Sequence, residues 1–356
     1  MPVPLIAQVY YDGITSVPYL LPIIKALPWI TLLVILKFFF NGTQNGNERI
    51  MHSRVAIVTG GTSGIGAAVV NELAARGTQL ILLVRDPSDI FTVDYITDLR
   101  ARHNNDLIFA EKCDLSSLHS VRLFATKFID NSPPRRLDMV ICCAGVMAPP
   151  GVEKRLVGDT REDASGKGGV EEQWAVNYLG HVHLLELLMP LLRVQPMDRD
   201  VRVLLATCPS YLLGELDVND LLHSARPYPK WAPWRVYGAT KLALMTYAVE
   251  TQRRFHEYKR PDGGKNQVRV FCVDPGVSRT LGTRRWISMG SIPGLLAYLL
   301  TWPLWWLILK SPESGAQSFL TAAMSIECAR GEGGVMIKEC KKHKYVSFLN
   351  TSRILH

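Results

Sequence analysis

Residues 59–66 read TGGTSGIG, and this glycine-rich stretch decides the fold of the chain. It follows the apolar, β-branched run RVAIVTG (54–60) and precedes AAVVNELAARG (67–77), in which apolar residues recur at helical spacing. Glycines let the backbone turn sharply here and approach a pyrophosphate, which the amides and dipole of the helix N-terminus bind. It could be only a tight turn, but its place between strand and helix favours the binding role. The residues expected to form this binding turn are Gly60, Thr62, Ser63, Gly64, Ile65 and Gly66.

Outward from this turn, apolar strands alternate with amphipathic helices. Strand-like runs occur at 54–60, 79–84, 107–114, 137–145, 201–207 and 268–276, with a possible last strand at 333–340. Continuous apolar strands joined by helices indicate a parallel sheet that is buried on both faces. We therefore predict an α/β fold with a doubly wound, mostly parallel, Rossmann-like sheet of about seven strands and helices on both faces.

Composition limits the classes of protein to consider. The 356 residues are enough for one large domain, and a net charge of +8 suits an anionic lipid, a nucleic acid or an anionic cofactor. The chain has no Cys/His spacing typical of zinc sites and no basic helix interleaved with aromatic residues, so we expect neither a metal nor a nucleic acid as partner. Several of its seven cysteines fall inside apolar strand-like runs, which is typical of reduced core cysteines.

Residues 17–40 are strongly apolar, although Lys25, Lys37 and three prolines interrupt them. The stretch has no basic n-region and no small-residue cleavage site, so we interpret it as a retained membrane anchor, with a hairpin or an interfacial segment as the alternative. The predicted division is an anchor and linker over residues 1–50 and a main domain over residues 51–356. Basic residues follow the anchor and none precedes Lys25, which favours a cytosolic main domain.

A second apolar segment, WISMGSIPGLLAYLLTWPLWWLIL (286–309), contains no charged residue. Its glycines and prolines argue against one straight helix, although its length would permit a span. We expect a pair of helices in the membrane interface that also lines an apolar substrate tunnel. The alternative is a helix pair buried in the core.

Further motifs follow in a fixed order, and YGATK is the most informative of them for chemistry. Tyr237 and Lys241 lie four residues apart and therefore on one face of a helix, where an ammonium would favour the ionised form of a phenol. Together, TGGTSGIG, CDLSS, CCAG, WAVNYLGH, YGATK and DPGVSRT resemble the short-chain dehydrogenase/reductase family over about residues 54–334. Within it, the chain is similar to the membrane-associated branch of retinol and polyprenol dehydrogenases.

The resemblance implies a role for each motif. Tyr237 would be the acid-base group and Lys241 would tune it, while Asn177 would bend its helix and hold a water that connects the lysine to solvent. A buried asparagine that only caps the backbone is the alternative for Asn177. The further residues that the resemblance places on the cofactor are Asp114 and Leu115 at the adenine, Ala144 and Gly145 beneath it, and Pro275, Gly276, Val277 and Thr280 at the nicotinamide.

Arg85 decides which nicotinamide cofactor to expect. An acidic side chain at the end of the second strand usually accepts hydrogen bonds from the ribose hydroxyls, but Val84 stands there and Arg85 follows it. A guanidinium offers several donors to a 2'-phosphate, which favours NADP(H). Alternatively, Arg85 is only solvated and pairs with Asp86.

Cys208 departs from the family pattern. The ungapped alignment of RVLLATCPS (202–210) places it where the family has a serine that donates a hydrogen bond to the substrate carbonyl. In an extended backbone Ser210 would lie on the same side as Cys208. Ser210 could replace the missing hydroxyl, the weakly donating thiol could act slowly, or activity could be lost.

We therefore expect an NADP(H)-dependent oxidoreductase that acts on a lipophilic alcohol or carbonyl compound: a retinoid, sterol, polyprenol or long-chain ketone. The alternative is a catalytically weakened, cofactor-binding subunit with a structural or assembly role at a membrane. The expected locations are the endoplasmic reticulum or a lipid droplet, with a mitochondrial membrane as an alternative, and a homo-oligomer is possible. A charged insertion, 151–169, is expected to form a loop near the cofactor entrance.

Overall fold

The computed structural model describes residues 10–11, 20–130, 136–158, 169–196, 199–217, 219–220, 227–264 and 266–343. Most of the insertion predicted at 151–169 lies outside the described residues. Leu156–Val157, in its described first part, pairs antiparallel with Val170–Glu171, which follows the insertion.

One eight-stranded sheet organises the domain. Its strands are β1 (Val55–Thr59), β2 (Gln79–Val84), β3 (Ile108–Lys112), β4 (Met139–Cys142), β5 (Val201–Ala206), β6 (Val268–Asp274), β7 (Val335–Lys338) and β8 (Lys341–His343). They lie in the order β8-β7-β6-β5-β4-β1-β2-β3. All neighbours are parallel except β7 and β8, which form a hairpin. The mostly parallel sheet is confirmed, and the hairpin adds one strand to the seven predicted.

Helices cover both faces of this sheet, and further helices lie outside its core. They are α1 (Leu20–Asn41), α2 (Gly64–Ala75), α3 (Ile90–His103), α4 (Leu118–Ile129), α5 (Gly180–Val194), α6 (Pro233–Glu257), α7 (Leu281–Ile287), α8 (Ile292–Leu300), α9 (Trp302–Ile308), α10 (Pro312–Met324) and α11 (Ile326–Arg330). Successive strand residues point to opposite faces, so Ile57 packs into a core with α4, α5 and α6, while Val58 packs into a second core with α2 and α10. The predicted doubly wound α/β fold is confirmed.

The strand order reverses at β1, which has β2 on one side and β4 on the other. The chain leaves β1 toward β2 on one side, and it leaves β4 toward β5 on the other side. Because these connections diverge, a crevice opens between the carboxyl ends of β1 and β4. The glycine-rich turn leaves β1 at this point and leads directly into α2. The fold therefore places the predicted binding turn where ligands bind in open α/β sheets.

Two apolar parts lie outside this core. In α1, residues Pro22–Asn41 have a mean hydropathy of 2.0 and none of them is buried, so the helix is long and apolar enough to cross a membrane. Residues 286–309 form short helices instead of one straight helix, as their glycines and prolines predict. Helix α8 buries only Tyr298, and α9 buries no residue. These helices are therefore exposed rather than part of the core.

Candidate active site

The glycine-rich turn packs so tightly against neighbouring backbone that only glycine fits at two of its positions. Gly60 has φ of 66°, and a Cβ on it would lie 2.8 Å from the Cα of Ala144. A Cβ on Gly66 would overlap the carbonyl oxygen of Gly60. Side chains at these positions would clash with neighbouring backbone, so only glycine lets the turn fold this tightly.

The segment after β6 lies across the crevice from this turn. A Cβ on Gly64 would lie 3.2 Å from the Thr280 methyl group, and Gly276 turns with φ of 72° while its amide donates to Asp274. Pro275 is buried, whereas Val277 is 56% exposed. The predicted nicotinamide-side residues and the binding turn therefore come together.

The residues predicted at the adenine end lie beyond β2 and β3. Asp114 accepts hydrogen bonds from the amide and hydroxyl of Ser116 through one carboxylate oxygen, and Leu115 is buried against Gly180. Arg85 is exposed at the end of β2. The Asp86 carboxylate binds Ser88 instead, so the alternative pairing of Arg85 with Asp86 is not seen among the described residues.

Tyr237 and Lys241 lie on the same face of α6, as predicted. Lys241 is 3% exposed; its Nζ donates to the Ala206 carbonyl at 3.0 Å and lies 5.5 Å from the centroid of the Tyr237 ring. Burial lowers the pKa of Lys241. Burial also raises the pKa of Tyr237 well above its usual range, and the neighbouring Cys208 adds to this shift. The shift is opposite to the one expected from an ammonium alone, because desolvation dominates, and it keeps the phenol protonated at neutral pH.

Cys208 is the neighbouring side chain that, after burial, raises the pKa of the Tyr237 hydroxyl, so the thiol lies beside this phenol. Ser210 does not approach the tyrosine in the same way: its Oγ lies 2.6 Å from the Sγ of Cys208. The backbone here is not extended, because Pro209 begins a 3-10 turn, Pro209–Leu213. The three side chains therefore follow one another, with Cys208 between Tyr237 and Ser210.

Gly238 brings this turn close to the tyrosine, and the motif analysis did not single it out. A Cβ on Gly238 would overlap the carbonyl oxygen of Ser210, and one on Gly214 would overlap the backbone of Gly238. The 3-10 turn is therefore packed directly on α6, one residue after Tyr237. The glycine of YGATK was the available signal.

Asn177 lies in a π-helical turn, Ala175–Leu179, immediately before α5. Its Oδ1 accepts from the Val146 amide at 2.8 Å, and its Nδ2 donates to the Val146 carbonyl at 2.9 Å. A Cβ on Gly145 would lie 3.4 Å from this Oδ1 and 3.7 Å from the Lys241 Nζ. The side chain thus caps backbone, as the alternative held, and it does so at a distorted part of the helix beside the lysine.

His181 holds this region together, and the sequence reasoning missed it. The Ala144 amide donates to the Thr59 hydroxyl at 3.1 Å. Because the Asn177 carbonyl, 3.2 Å from His181 Nδ1, can only accept, Nδ1 carries the proton of the neutral ring. Nε2 therefore accepts from the Thr59 hydroxyl at 3.0 Å. Burial lowers the pKa of His181 to about 4, so the ring is neutral at physiological pH. The chain of bonds links the end of β1, the segment after β4 and the π-helical turn.

Thiols and aromatic rings complete the surroundings. None of the seven cysteines forms a disulfide; burial raises the pKa of Cys142, and raises that of Cys143 to about 12. The ring of Trp286 in α7 packs edge to face against the ring of Trp234, with 6.3 Å between the ring centroids. Trp234 lies three residues before Tyr237 on α6. No group of three metal-ligating side chains occurs in the described part of the chain.

The chain is similar to known oxidoreductases along most of its length. The family model described as "short chain dehydrogenase" matches residues 54–200. "Uncharacterized oxidoreductase pbr1" of Schizosaccharomyces pombe is 45% identical over 97% of this chain and 90% of its own length. Retinol dehydrogenase 13 of Homo sapiens is 31% identical over 88% of this chain and 85% of its own length. Polyprenol dehydrogenase of Mus musculus is 32% identical over 80% of this chain and 76% of its own length.

Proposed function

Because the chain belongs to the short-chain dehydrogenase family, whose members use nicotinamide cofactors, we propose that it interconverts an alcohol and a carbonyl group with NADP(H). The observation that carries the proposal is the position of Tyr237. Its hydroxyl lies beside Cys208, and its ring lies near the buried Lys241. Lys241 in turn is bonded to the Ala206 carbonyl at the end of β5, on the crevice side of the sheet.

The residues present fit a dinucleotide. The bare backbone at Gly60 and Gly64 lets the turn pack closely on Ala144 and beside Thr280, and the amides at the start of α2 point toward this turn. The bound cofactor supplies or accepts the hydride. Tyr237, protonated at neutral pH, donates a proton to the carbonyl oxygen in the reductive direction, while the Cys208 thiol orients that oxygen.

Arg85 is the proposed partner of a 2'-phosphate, since it is exposed at the end of β2 and forms no ion pair with the described residues. We expect Arg85→Ala to lower the preference for NADPH over NADH by about tenfold, because a charge-assisted hydrogen bond is lost only with NADPH. Dissociation constants from fluorescence titration with each cofactor measure this ratio. Arg102→Ala, which removes an exposed arginine of α3, is the control, and an unchanged ratio in Arg85→Ala would contradict the assignment.

We propose a lipophilic substrate, in the range from retinoids and polyprenols to sterols and long-chain ketones. Relatives at about a third identity are named for retinol and polyprenol, and the rings of Trp234 and Trp286 stand beside the proposed reactive end. The test is an NADPH oxidation assay of the detergent-purified chain against a panel of lipid carbonyl compounds. Substrate-dependent oxidation supports the proposal; cofactor binding without any turnover would contradict it.

The substitution at Cys208 favours a second candidate, a cofactor-binding subunit with a structural or assembly role at a membrane. A thiol is a weak donor, so the site lacks the usual hydroxyl at the substrate oxygen. In the same assay this candidate predicts NADPH binding without oxidation of any carbonyl compound.

We further propose that α1 anchors the chain in a membrane, of the endoplasmic reticulum, a lipid droplet or a mitochondrion, and that α8 and α9 lie in the membrane interface. Ile292 is 78% exposed and Leu300 is 85% exposed, while the Lys37 Nζ of α1 donates to the Trp306 carbonyl of α9 at 2.6 Å. The anchor and the exposed apolar helices therefore meet, so one bilayer can cover both. A cytosolic orientation stays a prediction.

This arrangement predicts how tryptophan fluorescence responds to lipid. In nanodiscs with acyl-chain-brominated phospholipids, we expect Trp302→Phe with Trp306→Phe to remove a large part of the quenching, because both indoles are exposed on α9. Trp174→Phe, at a core position that is 1% exposed, should leave the quenched fluorescence unchanged. Equal quenching in the double variant and wild type would place α9 outside the bilayer.

A further inference from the structure

The residues that follow the anchor helix, Gly42–Asn45, are bonded to the catalytic domain; we call them the strap. The Thr43 amide donates to the Glu339 carboxylate at 3.1 Å, and the Cys340 thiol donates to the Thr43 carbonyl at 3.4 Å. The Asn45 amide donates to the side chain of Gln317 in α10 at 3.0 Å. The anchor is therefore joined to the domain by a docked segment rather than by a free linker.

The strap is held by the tip of the β7–β8 hairpin. Glu339 and Cys340 form its two-residue turn, with φ of 49° and 58°. Left-handed backbone at both positions is typical of Asn and Gly, and side chains with a Cβ are strained there. In this hairpin the side chains of both strained residues form hydrogen bonds with the backbone of Thr43, so the strained turn positions them to bind the strap.

Lys310 connects the strap to the other side of the crevice. It forms an ion pair with Glu339 and lies directly against Gly42, where a Cβ would overlap the pair. A Cβ on Gly276 would lie 3.2 Å from the Lys310 side chain. The Lys310–Glu339 ion pair thus lies between Gly42, at the end of the anchor, and the turn at Pro275–Gly276.

The main chain of Lys310 makes the same connection. Its amide donates to the Val277 carbonyl at 3.1 Å, and its carbonyl accepts from the Arg279 amide at 2.8 Å. These bonds fix the backbone between Gly276 and Thr280, which faces the glycine-rich turn. A displaced Lys310 would therefore displace the segment that closes the nicotinamide side of the crevice.

We propose that the strap positions the segment Pro275–Thr280 through the Lys310–Glu339 pair, so that the affinity for NADP(H) depends on the docked state of the membrane anchor. This inference rests on the proposed cofactor. Lys310 and Glu339 are positioning residues, since they act through the backbone of the segment and not on the cofactor itself. The anchor thereby has a role in the site besides attachment.

Titration of the full-length chain with NADPH in nanodiscs, followed by nicotinamide fluorescence, tests the proposal. We expect Glu339→Gln, which removes the ion pair without changing the turn, to weaken binding by about tenfold. We expect the same of Gly42→Ala, whose Cβ would meet the pair and whose backbone, with φ of 73°, would strain the strap itself. Turnover at saturating NADPH and the melting temperature of the cofactor-free protein should stay near wild type. A general loss of structure would instead lower both the turnover and the melting temperature.

Matched controls lie in the same elements. Gly46→Ala changes a glycine of the same linker whose added Cβ would meet nothing within 4 Å, and Lys341→Gln removes an exposed charge from the same hairpin. Both should bind NADPH like wild type. Wild-type affinity in Gly42→Ala or in Glu339→Gln overturns the coupling through this pair. Failure of the wild-type chain to bind NADPH would instead overturn the proposed function and the inference together.

Discussion

Replacing Tyr237 with phenylalanine is expected to lower kcat for carbonyl reduction by about 1000-fold, because a positioned general acid contributes roughly 10²- to 10⁴-fold to such steps. The ring stays in place near Lys241, so the variant loses only the hydroxyl beside Cys208. Steady-state NADPH oxidation with the best lipid carbonyl of the panel measures the effect. The dissociation constant for NADPH should change little, since the ring still packs at the same position.

Tyr247→Phe is the matched control for this experiment. Tyr247 lies on the same helix, and its hydroxyl donates to Glu186 at 3.0 Å, away from the crevice. It should retain wild-type kcat. Turnover that survives in Tyr237→Phe would show that another group protonates the substrate, and the proposed mechanism would then fail.

The sequence was informative about the sheet because buried parallel strands are continuous apolar runs. Each of the six strand-like runs contains one observed strand, and the possible run at 333–340 contains β7. Strand β8 was not predicted, because its residues, Lys341–His343, are charged and have no apolar alternation. It forms because the turn at Glu339 brings the chain back along β7.

The candidate site was predictable where motif spacing fixes geometry and unpredictable where burial or distant contacts decide it. The four-residue spacing gave the common face of Tyr237 and Lys241, but the raised pKa of the phenol comes from burial that spacing does not show. The Thr59–His181 bond joins residues 122 positions apart. The strap was missed for the same reason, since Thr43 meets Glu339 only after the whole sheet has formed.

Cys208→Ser is expected to raise kcat on the order of 100-fold, which is the second large effect. An oxygen donor stabilises a developing oxyanion far better than a thiol, and loss of one such donor typically costs about 100-fold or more. The side chain at this position lies beside Tyr237, so a serine hydroxyl there would reach the same substrate oxygen without a change in the backbone. Steady-state kinetics on the same carbonyl compound measure the gain, with Cys328→Ser, a buried cysteine of α11, as the control.

Ser210→Ala distinguishes the possible donors. Because Ser210 contacts Cys208 rather than Tyr237, we expect it only to polarise the thiol, and its loss should lower kcat by about threefold, the effect of one weak neutral hydrogen bond. If Ser210→Ala instead abolishes turnover while Cys208→Ser leaves kcat unchanged, Ser210 supplies the missing hydroxyl. If Cys208→Ser creates turnover that the wild type lacks, the thiol has silenced an otherwise complete site, and the subunit role becomes the better account of the natural chain.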